Sequence, residues 1–275
     1  MDALDDVVDI DRYPLHDPGA GLVAAVRADL AADGCCVLPD FVRPDRHDVL
    51  RAEGAALAPH AHTRVETVNV YNTAPDDTLP PDHPARVPLE RGNAFVARDR
   101  IPADALVQRL YTSAAFRGFV AACFGLGQVH ELADPLSGLV LNVVVPGRGH
   151  PWHFDTNEYT VSLLTQAAEA GGAFEYCPGI RCPGAENLDA VRTVLDGRGD
   201  PRRLELRPGD LQLFRGRYSL HRVSPVEGRT ARHTAIFAYS ERPGVVGTAE
   251  RTRQLFGRTT DAHHEQGVRV DGLMI

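Results

Sequence analysis

Residues 136–166 of the chain read LSGLVLNVVVPGRGHPWHFDTNEYTVSLLTQ, and this stretch decides the fold class. It holds two runs rich in β-branched residues, near 136–145 and 152–166, on either side of a turn that contains Gly and Pro. The pattern returns downstream, and we expect further strands near residues 172–177, 203–207, 211–216, 219–224 and 231–240. Many short strands in succession favour an antiparallel jelly roll over a parallel sheet with helical crossovers.

Helical patterns dominate the chain before these strands. Residues 20–33 place Leu22, Val26 and Leu30 at helical spacing, and Gly34 follows as a stop signal. Further helices are expected from Pro44 to Leu57, as a pair within 104–124, near 187–195 and near 248–255. A short buried strand is expected from Cys35 to Leu38, and a Pro- and Asp-rich loop at 74–90.

These elements predict a mainly β protein buttressed by helices, as one domain over residues 1–275. We expect N-terminal helices and a lid loop within 1–135, the jelly-roll core within 136–242, and a C-terminal helix and tail within 243–275. The sequence shows neither a fixed-period repeat nor a low-complexity tract, which argues against a solenoid or a propeller.

Composition excludes several classes of protein. The chain is 43% hydrophobic and 24% charged, and it lacks the run of about 18 apolar residues that spans a membrane. Its net charge of −8 disfavours nucleic acid as a partner. All 29 basic residues are arginine, so Schiff-base and P-loop chemistry, which need lysine, are excluded. The acidic start and the odd number of cysteines, 5, predict a cytoplasmic protein with reduced thiols.

A His-x-Asp pair, His153 and Asp155, is the first candidate for chemistry. Residues two apart on a strand project to the same face, so both side chains can bind one ion. A chain with 12 histidines contains such a pair by chance, and only the surroundings give it weight. His221 lies in a second apolar strand, and Arg232 and Thr234 lie in a third.

These residue types suit one metal ion and one dicarboxylic acid. Two imidazoles and one carboxylate on one face of octahedral Fe(II) leave three positions for a bidentate 2-oxo acid and O2. The far carboxylate of 2-oxoglutarate then needs a buried cation, which Arg232 supplies, and the Thr234 hydroxyl can add a hydrogen bond. Arg222 or Arg229 would take the role of Arg232 if the strand began elsewhere.

Five segments together resemble the Fe(II)/2-oxoglutarate-dependent oxygenases, and they cover about residues 136–242. The segments are His153-Phe154-Asp155, Gly171-Gly172-Ala173-Phe174-Glu175-Tyr176, Pro208-Gly209-Asp210-Leu211-Gln212-Leu213-Phe214, His221-Arg222-Val223 and Arg232-His233-Thr234. The resemblance implies a double-stranded β-helix. It also implies that His153, Asp155 and His221 are metal ligands and that Arg232 anchors the cosubstrate.

Within that superfamily, Trp152 to Asp155, followed by Glu158-Tyr159 and residues 163–166, is similar to enzymes acting on free amino acids, including radical halogenases. Those halogenases replace the metal-binding carboxylate with a small residue, which leaves a position for halide. Asp155 fills that position here. The resemblance therefore implies oxidation of a small polar metabolite, such as an amino acid or a derivative, by hydroxylation, desaturation or cyclisation, with release of succinate and CO2.

Five other residues have both a functional and a structural interpretation, among them Trp152, which is either a platform for substrate or a packing residue. His150 either touches substrate or cosubstrate or faces solvent in a turn. Asn142, in an apolar strand, needs a hydrogen bond from the cosubstrate or from a neighbouring backbone. Arg91 and Asn93 are candidates for binding a substrate carboxylate from a lid loop, and otherwise lie in a solvated loop. Trp152 is expected to pack in the barrel.

Two further histidine motifs are weak. His60-Ala61-His62 is a possible ligand pair of the kind found in cupins, but it has neither a strand nor a third ligand around it. His263-His264-Glu265 is expected to be a polar turn, since the metalloprotease pattern needs a second histidine one helical turn away.

Two other functions stay open. A cupin-type dioxygenase or isomerase would use the same three metal ligands without a 2-oxo acid. A non-catalytic jelly-roll module would keep the barrel for a ligand or a partner protein. The oxygenase hypothesis predicts a small-molecule substrate and neither nucleic acid nor membrane as a partner, and it specifies no oligomeric state.

Overall fold

Two antiparallel sheets form the centre of the protein, and helices cover one of them. The computed structural model describes residues 4–263. The helices are α1 (Ala20–Asp33), α2 (His47–Leu57), α3 (Leu106–Thr112), α4 (Ala114–Phe124), α5 (Leu188–Leu195) and α6 (Ala249–Phe256). The strands are β1 (Cys35–Leu38), β2 (Glu66–Val68), β3 (Leu89–Arg91), β4 (Ala94–Val96), β5 (His130–Glu131), β6 (Leu139–Val144), β7 (His150–His153), β8 (Thr160–Gln166), β9 (Ala170–Gly171), β10 (Phe174–Cys177), β11 (Arg202–Leu204), β12 (Leu211–Phe214), β13 (Leu220–Val223), β14 (Val226–Glu227) and β15 (Arg232–Ser240).

The strand order is that of a jelly roll. The larger, seven-stranded sheet runs β1-β12-β8-β15-β6-β4, with β5 paired to β15, and the smaller sheet runs β11-β10-β13-β7. Two short ribbons, β14-β9 and β2-β3, flank them. Side chains of both sheets line one cavity between them. This arrangement confirms the expected fold class, a double-stranded β-helix buttressed by helices.

Alternation along the strands separates the core of the larger sheet from its cavity face. In β15, Ala235 and Phe237 belong to the main hydrophobic core, whereas Thr234 and Ile236 line the cavity. The same alternation in β6 points Leu141 toward the helices. Helices α1 to α4 contribute to this core, so the opposite face of the sheet is free to form a site.

The stretch expected as one strand over 152–166 is two strands, and this correction matters for the site. β7 pairs with β13 in the smaller sheet, whereas β8 pairs with β12 and β15 in the larger one. One straight strand cannot belong to both sheets, so residues 154–159 cross between them without strand structure. Asp155 lies in this crossing.

The helices and longer strands otherwise lie close to the expected positions. α1 and β1 have the expected bounds, and α6 begins and ends one residue later than expected. The unexpected strands β2 to β5, β9 and β14 have two or three residues each, too few for a period-two pattern to show. No helix within residues 4–263 has the length and hydropathy to cross a membrane.

Candidate metal centre and active site

His153 and His221 lie opposite each other on neighbouring strands of the smaller sheet. The antiparallel register pairs His221 of β13 with His153 of β7. Side chains at directly paired positions emerge on the same face, and here the two ring centroids are 4.1 Å apart. Both residues are buried. The register of two short strands thus brings together histidines that are far apart in the sequence.

Asp155 joins these histidines from the crossing between the sheets. Its N–H donates to the carbonyl of Gly216 at 3.1 Å, which fixes the backbone beside the rings. Its Oδ1 lies 3.7 Å from Nε2 of His153 and 3.5 Å from Nε2 of His221. Its Oδ2 accepts a hydrogen bond from the Thr160 hydroxyl at 2.8 Å. One carboxylate oxygen therefore faces the histidines while the other is held by β8.

Backbone carbonyls fix the orientation of both imidazole rings. Nδ1 of His153 lies 2.8 Å from the carbonyl of Pro151, and Nδ1 of His221 lies 2.9 Å from the carbonyl of Ser219. A carbonyl only accepts, so each Nδ1 carries the proton and donates it. The lone pair of each neutral ring is then on Nε2, the nitrogen that faces Asp155.

The charge states at the centre are those of metal ligands. Burial lowers the pKa of His153 well below its usual value, and the neighbouring His150 and His221 lower it further. Burial raises the pKa of Asp155, but the nearby His221 and His153 outweigh it and hold that pKa below its usual range. Neutral imidazole and ionised carboxylate are the forms that coordinate metals.

The donor set fits Fe(II). The three ligand atoms lie within 4.8 Å of one another, close enough to share one ion. Two imidazole nitrogens and one carboxylate oxygen on one face are the ligands of non-haem Fe(II) oxygenases. Within residues 4–263, no other three His, Cys, Asp or Glu side chains converge in this way.

Arg232 lies at the start of β15 and is buried, with 5% of its surface exposed. It donates to the hydroxyl of Thr234, and no acid among residues 4–263 forms an ion pair with it. Burial lowers its pKa to about 10, so it stays charged at neutral pH. The two alternative anchors for the cosubstrate do not line the cavity. Arg222 pairs with Glu175 at 2.6 Å, and Arg229 is exposed.

His150 and Asn142 also line the cavity. His150 is buried in β7 with its ring stacked on His153 at 3.7 Å between centroids, so it does not face solvent in a turn. Its Nε2 is buried without a hydrogen-bond partner. Asn142 is paired with Thr234 across β6 and β15, and its side-chain oxygen accepts from Asn93 at 3.0 Å. Asn93 therefore holds the side chain of Asn142 by this hydrogen bond, although Asn93 itself does not line the cavity.

Arg91 and Asn93 do not form the lid that we expected. Both are buried, and neither lines the cavity. Arg91 ends β3, where its guanidinium pairs with Glu66 at 2.7 Å and donates to the carbonyl of Gln254 at 3.3 Å. The cause is the β2-β3 ribbon, which includes the end of the expected loop and turns Arg91 into the protein.

Arg251 is a cavity residue that the sequence did not reveal. It lies on α6 and lines the cavity, which has a volume of about 250 Å³ and also contains His153, Asp155 and His221. An arginine in a short polar helix gives no local signal. Its position depends on where α6 docks, which only the assembled fold determines.

The two weak histidine motifs do not form metal sites within residues 4–263. His60 is exposed in a short 3₁₀ helix. His263 is buried and lies 3.1 Å from Asp134 through Nε2. His264 and Glu265 lie outside the described residues. Trp152 packs in a buried cluster, as expected, with the Arg222 guanidinium over its ring.

Comparison with solved structures supports the fold. AviO1 from Streptomyces viridochromogenes Tue57 is 18% identical with a TM-score of 0.55, over 79% of this chain and 94% of that chain. The epimerase SnoN, in complex with Fe3+, alpha ketoglutarate and nogalamycin RO, is 14% identical with a TM-score of 0.53, over 80% and 84%. An oxidoreductase of the 2OG-Fe(II) oxygenase family from Burkholderia pseudomallei is 17% identical with a TM-score of 0.50, over 82% and 94%.

The sequence itself matches a family model. No curated protein matches the chain with significant similarity. The model described as HalD, Halogenase D, matches residues 19–254, which span the N-terminal helices, the barrel and most of α6. The chain therefore belongs to the halogenase D family, and it shares the fold of solved structures that include a member of the 2OG-Fe(II) oxygenase family.

Proposed function

We propose that this protein uses Fe(II), 2-oxoglutarate and O2 to oxidise a small metabolite, with release of succinate and CO2. One observation carries the proposal: a complete two-histidine, one-carboxylate cluster shares a cavity with a buried arginine that has no acid partner among residues 4–263. The cluster suits the metal and the arginine suits the far carboxylate of a 2-oxo diacid.

His153, Asp155 and His221 would hold the metal. The carbonyls of Pro151 and Ser219 keep Nε2 of each ring available, and Thr160 keeps one oxygen of Asp155 directed at the rings. When bound, Fe(II) with 2-oxoglutarate and O2 supplies the oxidising power to remove a hydrogen atom from an unactivated carbon. The surrounding side chains would orient the reactants.

Arg232 would anchor 2-oxoglutarate through its far carboxylate. A guanidinium offers two parallel charge-assisted hydrogen bonds to one carboxylate, and burial strengthens them because water does not compete. Thr234 holds the guanidinium and can share its hydroxyl with the same carboxylate. Asn142, on the paired strand, places its amide on the same side of the cavity.

We infer oxygenation, not halogenation, although the family model is named for a halogenase. Halide needs a metal position of its own, and Asp155 takes the third protein-ligand position here. Thr160 and Gly216 both hold this aspartate in place, so the carboxylate is built into the site. Hydroxylation, and the related desaturation or cyclisation, need only the remaining positions.

The substrate would be a small molecule, and we propose a free amino acid or a derivative. A cavity of about 250 Å³ is slightly smaller than typical small-molecule sites, which measure roughly 300–1,000 Å³, and so favours a small substrate. The resemblance of residues 152–166 to enzymes acting on free amino acids supports the proposal. Arg251 adds a second cation to the cavity, and His150 adds a buried nitrogen without a partner.

An anaerobic titration tests the cofactors. Wild-type protein with Fe(II) and 2-oxoglutarate should develop the weak visible charge-transfer band of a bidentate 2-oxo acid on Fe(II). Admission of O2 with a panel of free amino acids, in chloride-containing buffer, should then yield succinate together with a changed amino acid. A mass gain of one oxygen atom means hydroxylation, a loss of two hydrogen atoms means desaturation or cyclisation, and exchange of hydrogen for chlorine contradicts the role of Asp155.

Two results would overturn the proposal. Absence of the band despite bound Fe(II) would show that 2-oxoglutarate does not bind the metal. Metal-dependent turnover that continues without 2-oxoglutarate would instead support a cupin-type enzyme.

A further inference from the structure

Arg251 is a charged group in the cavity that takes no part in the proposed binding of the metal or of 2-oxoglutarate. It lies in the first turn of α6, outside the barrel, whereas Arg232 lies on a barrel strand. Its guanidinium donates to the side-chain oxygen of Gln254, a neutral group. No acid among the described residues forms an ion pair with Arg251. The cavity therefore presents a cation without a counter-charge.

The helix framework holds Arg251 in position. Gln254 donates from its side chain to the carbonyl of Asn72 at 3.2 Å, and its own carbonyl accepts from Arg91 at 3.3 Å. The hydroxyl of Thr248 caps α6 by accepting from the Arg251 N–H at 3.2 Å. A guanidinium held in advance loses little freedom when an anion binds, which favours binding.

Negative charge is scarce around this cation. Asp155 is the one acid among the described residues that line the cavity, and the metal centre uses it. Glu66, which does not line the cavity, is paired with Arg91 at 2.7 Å. Burial, together with the nearby charge of Arg91, lowers the pKa of Arg251 to about 9, although Asp155 and Glu66 raise it in part. Arg251 is thus charged at neutral pH, and the walls offer no spare carboxylate to a cationic substrate.

The wall next to Arg251 is apolar. Leu255 follows Arg251 by one helical turn and lines the same cavity. It packs with Phe95, Val140 and Ile236 around one apolar cluster, and all four side chains reach the cavity. Hydrocarbon bound against this wall is removed from water, which favours binding by about 25 cal/mol for each Å² buried.

We infer that Arg251 binds the substrate carboxylate and that the wall of Phe95, Val140, Ile236 and Leu255 receives an uncharged hydrocarbon chain. The substrate is then an apolar carboxylic acid, such as an aliphatic α-amino acid, and a basic amino acid is disfavoured because its side-chain ammonium would lie against this wall without a carboxylate. This inference rests on the proposed function, since Arg232 must be occupied by 2-oxoglutarate for Arg251 to serve the substrate.

The test compares three probes that isolate each feature. L-Norleucine has a carboxylate and an apolar chain, its amide lacks the carboxylate, and L-lysine adds an ammonium to the chain end. Calorimetry under anaerobic conditions measures their Kd with the full-length protein loaded with Fe(II) and 2-oxoglutarate. The variants are Arg251→Gln, Arg251→Lys, and the control Arg253→Gln, which alters an exposed arginine of the same helix.

We expect wild type to bind norleucine at least about tenfold tighter than the amide or lysine. Arg251→Gln should weaken norleucine binding about 10- to 100-fold and leave binding of the amide unchanged, because it removes charge-assisted hydrogen bonds to one carboxylate. Arg251→Lys should recover part of the loss, and Arg253→Gln should match wild type. The charge-transfer band with 2-oxoglutarate should persist in all variants, which also reports an intact site.

Four outcomes would overturn the inference. They are wild-type affinity for norleucine in Arg251→Gln, failure of wild type to bind norleucine, binding of lysine or the amide as tight as that of norleucine, and loss of the 2-oxoglutarate band in Arg251→Gln. Absence of the band in wild type is different, because it would contradict the proposed function itself.

Discussion

The hydroxyl of Thr160 donates a 2.8 Å hydrogen bond to Oδ2 of Asp155, while Oδ1 of the same carboxylate faces the rings of His153 and His221. Thr160 begins β8 of the larger sheet, and the two histidines belong to the smaller sheet. This hydrogen bond therefore ties the third candidate metal ligand to the larger sheet, although the two histidines that the carboxylate faces belong to the smaller sheet. Partners of metal ligands fix ligand orientation and contribute to metal affinity.

Replacement of Thr160 by Val should weaken Fe(II) binding by about tenfold or more, because the variant keeps the shape of the side chain and loses the donor that orients Asp155. Competition with a chelator measures the affinity. Thr160→Ser retains a hydroxyl and should stay close to wild type. Equal affinities of the Val variant and wild type would show that the backbone alone positions Asp155.

Replacement of Gly216 by Ala should disturb Asp155 without any change to a ligand. A Cβ at position 216 would lie 2.0 Å from Oδ2 of Asp155, so the carboxylate must move away. We expect Fe(II) affinity to fall at least about tenfold, by the magnitude typical for groups that orient metal ligands.

The control is Gly21→Ala in α1, where a Cβ meets no atom within 4 Å. It should retain metal binding and gain up to about 1 kcal/mol in unfolding free energy. Full metal affinity in Gly216→Ala would contradict the tight packing around Asp155.

Replacement of Arg232 by Gln should abolish most 2-oxoglutarate binding while Fe(II) still binds. Loss of a charge-assisted hydrogen bond costs about 1.5–3 kcal/mol, so we expect the Kd for 2-oxoglutarate to rise about 100-fold. Titration of the charge-transfer band provides the measurement. Arg222→Gln is the matched control, since Arg222 pairs with Glu175 and does not line the cavity. If Arg222→Gln lost the cosubstrate and Arg232→Gln kept it, the anchor would be misassigned.

The metal-free protein should lose stability as the pH falls below about 6.5. Burial lowers the pKa of both His150 and His153 well below the ordinary 6.5, so these rings are neutral in the folded state. In the unfolded chain they regain a pKa of about 6.5 and bind protons there, which favours unfolding at lower pH. The stabilisation is complete above that pKa. Melting temperatures measured between pH 5.5 and 8 should therefore decrease toward the acid end.

A variant identifies the source of this pH dependence. His150→Gln removes one of the buried titrating rings and should make the decrease of Tm with pH less steep. His60→Gln changes an exposed histidine and should leave the profile as in wild type. A pH profile of His150→Gln that coincides with wild type would assign the effect to other groups.

The sequence identified which residues can carry the chemistry, because their types suit a metal ion and a dicarboxylic acid and because five segments in order resemble one family of oxygenases. The spacing of two holds within one strand for Arg232 and Thr234 in β15, whereas Asp155 lies beyond the end of β7. The structure places all three candidate ligands, together with Arg232, in one cavity. For Arg91 the local pattern was insufficient, because the ion pair with Glu66 depends on the β2-β3 ribbon, whose strands have three residues each.

By itself, the sequence determined the series of strands, because strand patterns depend on local spacing. It also determined the donor types at 153, 155 and 221 and the presence of a cation in the last long strand, because residue types and the order of the segments can be read directly. The tertiary structure alone decided three features: the pairing of His153 with His221, the crossing that places Asp155 between two sheets, and the docking of α6 that turns Arg251 into the cavity. The physical reason is that strand register and helix docking arise from the packing of distant segments, which no local pattern encodes.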